Sequence, residues 1–299
     1  MEEEKQFDAL LERMERRRQL QQEPKWKRIA HRYWPAIRMT LVCLAVVLVV
    51  FGVAKLSSAS VDATLSTEPT ATEPPTTEPP VTEPPKDISP VPGVGGVIYL
   101  TFDDGPGAET PRLLEILSKY NAKVTFFVVN TPFVSTVAQI AAEGHALAMH
   151  TATHDFQKIY SSQEAYFADL EKIESIIEEY AGFRPVLLRF PGGSSNGVSR
   201  KYCDGIMTAL TRRVEEKGYI YHDWNVDSCD AGGASTAAEV AENVIQGCST
   251  RTSSVVLMHD IRSYTIDAIE DILLWGQANG YTFESLTTDT PAVHHKVKN

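Results

Sequence analysis

The chain has 299 residues, with 28 Lys/Arg against 39 Asp/Glu, a formal net charge of −11 and four cysteines. That length can bury the core of one large domain or two small ones. The acidic balance argues against capture of nucleic acid or anionic polymers by bulk charge, and four cysteines exclude a disulfide-dense miniature fold.

In chain order the composition changes three times. The first 38 residues carry ten Lys/Arg against seven Asp/Glu, and eight of the basic ones lie between Arg16 and Arg38. An uncharged apolar run follows, TLVCLAVVLVVFGVA at 40–54. Counted from Ala36 it is 19 residues long, roughly 28 Å as a helix, which matches the hydrocarbon thickness of a bilayer. A cleaved signal peptide would need a charged region of more than 35 residues, and LSSASVDA is only a weak cleavage site. Residues 36–56 are therefore predicted as a transmembrane signal-anchor. The Lys/Arg density before the run, with Lys55 the single basic residue after it until Lys86, puts residues 1–35 in the cytoplasm and the rest outside. Residues 57–94 repeat TEPT, ATEPP, TTEPP and VTEPP without aromatics. This composition cannot form a core and predicts a disordered, extended linker spanning on the order of 100 Å.

From Gly96 onward the pattern alternates. VIYLTF reads as a strand and PRLLEILSKY as a helix, followed by KVTFFVV, the helix PFVSTVAQIAAEG and the short strand HALAMH. SQEAYFADLEKIESIIEEY is a long helix with Leu170, Ile173, Ile177 and Tyr180 on one face. Next come the strand VLLRF, the helix RKYCDGIMTALTRRVEEKG, the strand YIYHDWNV and the helix TAAEVAENVIQG. The strand SSVVLMH, the helix TIDAIEDILLWGQANG and the strand YTFESL complete the series. Continuous apolar strands, each followed by a helix, predict an α/β fold with a parallel sheet. Seven strands suit a closed or nearly closed β/α barrel, or an open doubly wound sheet, with active groups just past the strand ends. Cys203, Cys229 and Cys248 lie in this region, an odd number that permits one internal bond at most. Cys203 and Cys229 each fall a few residues past a predicted strand end, so a bond, if formed, is expected between them.

The strand ends carry titratable groups in succession: Asp103 and Asp104, His150 and His154, Arg189, Asp227 and Asp230, and His259. Two adjacent carboxylates at a buried strand end are compatible with a simple Asp-Gly turn. Five such ends on one rim are hard to explain as solvated loops. His-x-x-x-His is a common metal spacing, and one carboxylate added to it gives a three-ligand site with open positions. Thr151 and Thr153 between the histidines place that motif on a loop. His145, opening a strand, reads as structural, and Tyr219, Tyr221, His222 and Trp224 as core and flank.

TFDDGP, HTATH, RFPGG, WNVDSCDA and VVLMHD, in that order and spacing, resemble the motifs of the polysaccharide deacetylases over about residues 95–286. These are the NodB-homology enzymes of carbohydrate esterase family four. The resemblance implies a distorted (β/α)7 barrel over 95–290; the tail at 291–299 is polar, and its His294 and His295 are expected to be disordered. The resemblance also implies a divalent metal, Zn²⁺ or a similar ion such as Co²⁺, and hydrolysis of N-acetyl groups of peptidoglycan or chitin, or O-acetyl groups of xylan. On the family pattern Asp104, His150 and His154 hold the metal, and Asp103 is the general base, paired with Arg189. The Gly192 N–H helps stabilise the oxyanion, and Leu257 lines the acetyl-methyl pocket. His259 is the acid, oriented by Asp230, although Asp227 could also reach it. The pattern is broken at Gly192 and Ala231, where the family often has aromatic residues.

These expectations add up to a single-pass cell-membrane enzyme whose extracellular domain deacetylates a wall glycan, peptidoglycan first. Its partners would be that glycan and the membrane, not nucleic acid. The alternatives are a deacetylase or esterase of external chitin or acetyl-xylan oligomers, a glycan-binding pseudoenzyme and a metal-independent amidohydrolase. The complete Asp103, Asp104, His150, His154 and His259 set argues against the last two.

Overall fold

The computed structural model describes residues 95–298; the basic segment 1–35, the predicted anchor 36–56 and the linker 57–94 lie outside them. Among the described residues no helix is long and apolar enough to cross a membrane.

Strand β1 (Gly96–Asp103, GVIYLTFD) sets the plan of the domain. Successive side chains point to opposite faces of a strand. Ile98, Leu100 and Phe102 are fully buried in the main core, whereas Tyr99 packs with a second, inner cluster. Thr101 and Asp103 share the inner face. The same alternation holds in β2 (Thr125–Val128), where Phe126 and Val128 join the main core and Phe127 the inner cluster. Strands β3 (Ala146–Met149), β4 (Leu187–Leu188), β5 (Ile220–Tyr221), β6 (Val226–Asp227), β7 (Ser253–His259) and β8 (Tyr281–Phe283) complete one sheet. All its pairings are parallel, in the order β5-β4-β3-β2-β1-β7-β6. One edge of β1 is divided: Gly96–Ile98 pair with β8 and Thr101–Asp103 with β2.

Among the described residues seven α-helices follow the strands: α1 (Thr110–Lys119), α2 (Val137–Ala142), α3 (Phe156–Ile159), α4 (Gln163–Ala181), α5 (Ile206–Glu216), α6 (Ala237–Cys248) and α7 (Ser263–Ala278). Helix α1 opens on Pro111, where a missing N–H costs nothing. Ser162 caps α4 by accepting from Ala165 N–H, and Gly182, at φ 79°, ends it. The apolar stripes of these helices cover the outer face of the sheet, with Leu113, Leu170, Ile173, Leu210, Val244 and Ile269 in the main core. Each such side chain contributes about 1.5–3 kcal/mol when fully buried. Tyr180, expected on the buried face of α4, is 38% exposed at its last turn.

The architecture is a parallel β/α half-barrel, and it departs from the sequence reading in one region. YIYHDWNV is not one strand. Its start pairs with β4 as β5, its end pairs with β7 as β6, and no ladder joins the two. The barrel is open there, along His222–Asn225. The tail expected to be disordered fills part of this seam. Asp223 N–H donates to Val293 O at 2.7 Å, and Val293 packs against the inner cluster beside Leu286.

Candidate active site

Asp103 is the last residue of β1, on its inner face, and only 3% exposed. Asp104 follows in the left-handed region at φ 70°, an uncommon conformation for a residue with a Cβ. The turn sends the two carboxylates to different partners. Asp103 Oδ1 accepts from Arg189 Nη1 at 2.8 Å, while Asp104 Oδ1 lies 3.3 Å from His154 Nε2 and 3.6 Å from His150 Nε2.

The histidines come from the loop after β3, in which Thr151 and His154 are also left-handed, at φ 64° and 51°. His150 Nδ1 donates to Arg189 O at 2.8 Å, since a carbonyl can only accept, so Nε2 presents its lone pair to Asp104. Burial, aided by His154, pulls the His150 pKa down to about 3, so this imidazole is neutral. Asp169 on the buried face of α4 holds the loop from behind, accepting from Ala152 N–H at 2.8 Å and Thr153 N–H at 2.9 Å.

Ligand atoms of Asp104, His150 and His154 all lie within 4.8 Å of one another. Asp104 Oδ1 is buried and has no hydrogen-bond partner. An orphaned carboxylate oxygen facing two imidazole nitrogens is a poor arrangement in itself and a good one for a divalent cation. The three residues fit a metal.

Arg189 is fully buried just past β4 and spends its donors on both sides. Nη1 reaches Thr101 Oγ1 at 2.7 Å as well as Asp103, Nε reaches His222 O at 2.9 Å, and Nη2 reaches Asp223 O at 3.0 Å. Burial raises the Asp103 pKa above the usual carboxylate range against the opposing charges of Arg189 and His259. The pairing expected from sequence is formed, but burial outweighs it and leaves Asp103 more basic than an ordinary carboxylate.

His259, at the end of β7, is the register partner of Asp103. Its Nδ1 meets Asp230 Oδ1 at 2.7 Å, and its backbone N–H donates to Asp230 Oδ2, also at 2.7 Å. Thr265 Oγ1 donates to the same carboxylate at 2.8 Å. Burial opposes protonation of His259, but the bond to Asp230 and the nearby carboxylates carry its pKa up to about 9. Asp227 is turned away and accepts from Cys229 N–H at 2.8 Å; the residue against His259 is Asp230.

The sequence profile of the polysaccharide deacetylases matches residues 91–204. A peptidoglycan-N-acetylglucosamine deacetylase of Bacillus cereus is 36% identical over 197 residues, covering 63% of this chain and 68% of that protein. The chain belongs to the polysaccharide deacetylase family. Among solved structures, the catalytic domain of a peptidoglycan N-acetylglucosamine deacetylase from Eubacterium rectale shares 48% identity at a TM-score of 0.68, over 72% of this chain and 99% of that one. A polysaccharide deacetylase from Bacillus cereus shares 34% at 0.58, over 68% and 96%. The family's members are metalloenzymes, in keeping with the Asp-His-His cluster.

Within this deacetylase the two sequence departures have different outcomes. Gly192 is left-handed at φ 75°, and a Cβ there would meet the Phe156 ring at 3.2 Å. Phe156 stands edge-on to the His154 ring, with centroids 5.4 Å apart at 70°. An aromatic surface therefore does flank the metal cluster, supplied by Phe156 rather than by residue 192. Ala231 is exposed, and the Tyr264 hydroxyl donates to the carbonyl of the preceding residue, Asp230, at 2.6 Å. Leu257, two residues before His259 and paired in register with Thr101, is buried on the inner side.

The expected Cys203–Cys229 bond is not formed; Cys203, Cys229 and Cys248 are free thiols. Each of the first two turns its sulfur to local backbone, Cys203 Sγ to Asp204 O and Cys229 Sγ to Asp227 O. Distance past a strand end is too coarse a guide to satisfy the narrow geometry a disulfide requires. Asp169 and Phe156 were missed by sequence reasoning. The first had a usable signal, a carboxylate interrupting an otherwise apolar helix face; the second had none, because only the fold brings Phe156 beside Gly192.

Proposed function

We propose that this chain hydrolyses N-acetyl groups of a wall glycan, with peptidoglycan as the first substrate. One observation carries the reading: Asp103 and His259 lie in register on neighbouring strands beside the Asp104–His150–His154 cluster. A divalent cation held by that cluster, for which a two-nitrogen, one-carboxylate set suits Zn²⁺ best, would supply the Lewis acid that polarises the acetyl carbonyl and acidifies the attacking water.

Asp103, made more basic by burial and fixed by Arg189, accepts the proton of the attacking water. The N–H of Gly192, which has no acceptor among the described residues, is available to the oxyanion. His259, protonated and fixed by Asp230, gives a proton to the departing amine. Leu257 offers an apolar seat for the acetyl methyl, and Phe156 a ring against which a sugar can pack.

The substrate class is supported by the names of the Bacillus cereus and Eubacterium rectale relatives. The proposed location, anchored at 36–56 with the catalytic part outside the membrane, is supported by the charge and apolar pattern of residues 1–56. The test is acetate release from purified peptidoglycan and from chitin oligomers, with Zn²⁺, with chelator and with Asp103→Asn. Metal-dependent release that is lost in the variant is expected. Glycan binding without release by the folded, metal-loaded protein would overturn the proposal in favour of a binding role.

A further inference from the structure

The seam between β5 and β6 leaves four consecutive carbonyls, Tyr221 to Trp224, without ladder partners. The middle two accept from the Arg189 guanidinium, His222 O from Nε and Asp223 O from Nη2. The outer two are taken by the tail. His294 Nε2 lies 3.1 Å from Tyr221 O, with its ring stacked on Tyr221 at 3.8 Å, and His295 Nε2 lies 2.7 Å from Trp224 O. A carbonyl only accepts, so His295 Nε2 donates to Trp224 O, and Nδ1 hydrogen-bonds Ser195 Oγ at 3.1 Å. The buried Asp223 carboxylate joins the same parts. It accepts from Ser194 N–H at 2.8 Å on one side and from His295 N–H at 2.7 Å on the other.

We propose that Val293–His295 is a positioning strap for the active site, with His295 as its positioning residue. The strap acts along two routes. Through the carbonyls of 221–224 it fixes the seat of Arg189, whose Nη1 holds Asp103. Through Asp223 and Ser195 it fixes the loop that begins at Pro191 and carries the Gly192 N–H. Gly192 and Gly193 are both left-handed, so the loop has little stiffness of its own and takes its shape from Ser194, Ser195 and what they bind. The inference rests on the deacetylase reading for its catalytic meaning, but not for its structural content.

The test uses the full chain with His295→Ala and His295→Gln, the latter retaining a donor where Nε2 stood. Loss of the two side-chain hydrogen bonds of His295, which order catalytic groups, is expected to lower kcat roughly 10-fold in the alanine variant, with KM within about 2-fold and bound metal unchanged. Glutamine should recover most of the loss. Amide hydrogen exchange across 190–196 should be faster in His295→Ala than in the parent and close to the parent in His295→Gln. Unchanged kcat and unchanged exchange in folded His295→Ala, whatever its melting temperature, would overturn the proposal. If the parent releases no acetate, the deacetylase reading fails by itself, and exchange across 190–196 still decides for or against the strap. Should His295→Ala not fold, Ser195→Ala removes only the hydroxyl bound to Nδ1, and exchange in that variant decides in the same way.

Discussion

Replacing Asp169 by alanine tests whether the metal cluster depends on its support from α4. The carboxylate accepts two backbone N–H groups of the His150–His154 loop, Ala152 at 2.8 Å and Thr153 at 2.9 Å. Bonds to a charged acceptor are worth about 1.5–3 kcal/mol each. Ala152 is buried and would lose its partner outright, whereas Thr153 is exposed and can turn to water. Together they come to about 3 kcal/mol of unfolding free energy. The loop also holds Thr151 and His154 in left-handed conformations, each costing on the order of 1 kcal/mol. Freed from Asp169, these residues relax and displace the imidazoles, so Zn²⁺ affinity should fall by roughly 10- to 100-fold. Asp169→Asn keeps an acceptor oxygen and should lose about 1 kcal/mol, with a smaller drop in affinity. Urea unfolding of metal-free protein gives the first quantity and calorimetric Zn²⁺ titration the second. An alanine variant that loses the stability yet binds Zn²⁺ within about 3-fold of the parent would refute the reasoning, because the loop would then hold its shape without Asp169.

Excess Zn²⁺ should raise the melting temperature of the parent, by the equivalent of about 2.7 kcal/mol at 100 times Kd, and leave Asp104→Asn unmoved in a thermal scan. Asp230→Asn should destabilise in a pH-dependent way. His259 is raised to about 9, so its share of the stability is complete below the unfolded pKa and disappears as pH climbs through 9. Burial works against the Asp230 charge, but the bonds from His259 hold its pKa below the usual range, so its share is present above the unfolded pKa and disappears in acid. The gap between parent and variant in urea midpoints should therefore be widest near neutrality and narrow on both sides; a gap that widens above pH 9 would contradict the pairing. Phe156→Ala should raise KM for a glycan several-fold while sparing Zn²⁺ affinity, measured by acetate release and calorimetry.

The parallel sheet and most of the candidate site were legible because both rest on local pattern. Apolar runs that end in Asp103, His150, Arg189 and His259 give the strands and the rim in one reading. The choice between Asp227 and Asp230 was not legible, since three residues of spacing allow either, and only the path after β6 turns Asp230 to His259. The split of YIYHDWNV was hidden as well, because its apolar and aromatic residues look continuous while Asp223 and Trp224 serve the seam. The tail was read as disordered from its polarity. Val293, His295 and Val297 are partly buried in alternation with exposed neighbours, a period of two too brief and too polar to stand out against a charged terminus.

The alternation along β1 ties two requirements into one stretch of chain. Even-numbered positions carry the hydrophobic contacts with the helices, and odd-numbered ones carry Thr101 and Asp103. Deleting or inserting one residue within 97–102 would exchange the two sets, pressing a carboxylate into the helix layer and turning Phe102 toward the substrate. Unless a bulge absorbs it, such an error damages the core and the chemistry together. Within β1, a change that removes activity and keeps the fold is a substitution on the inner face, so selection acts on the two faces separately only one side chain at a time.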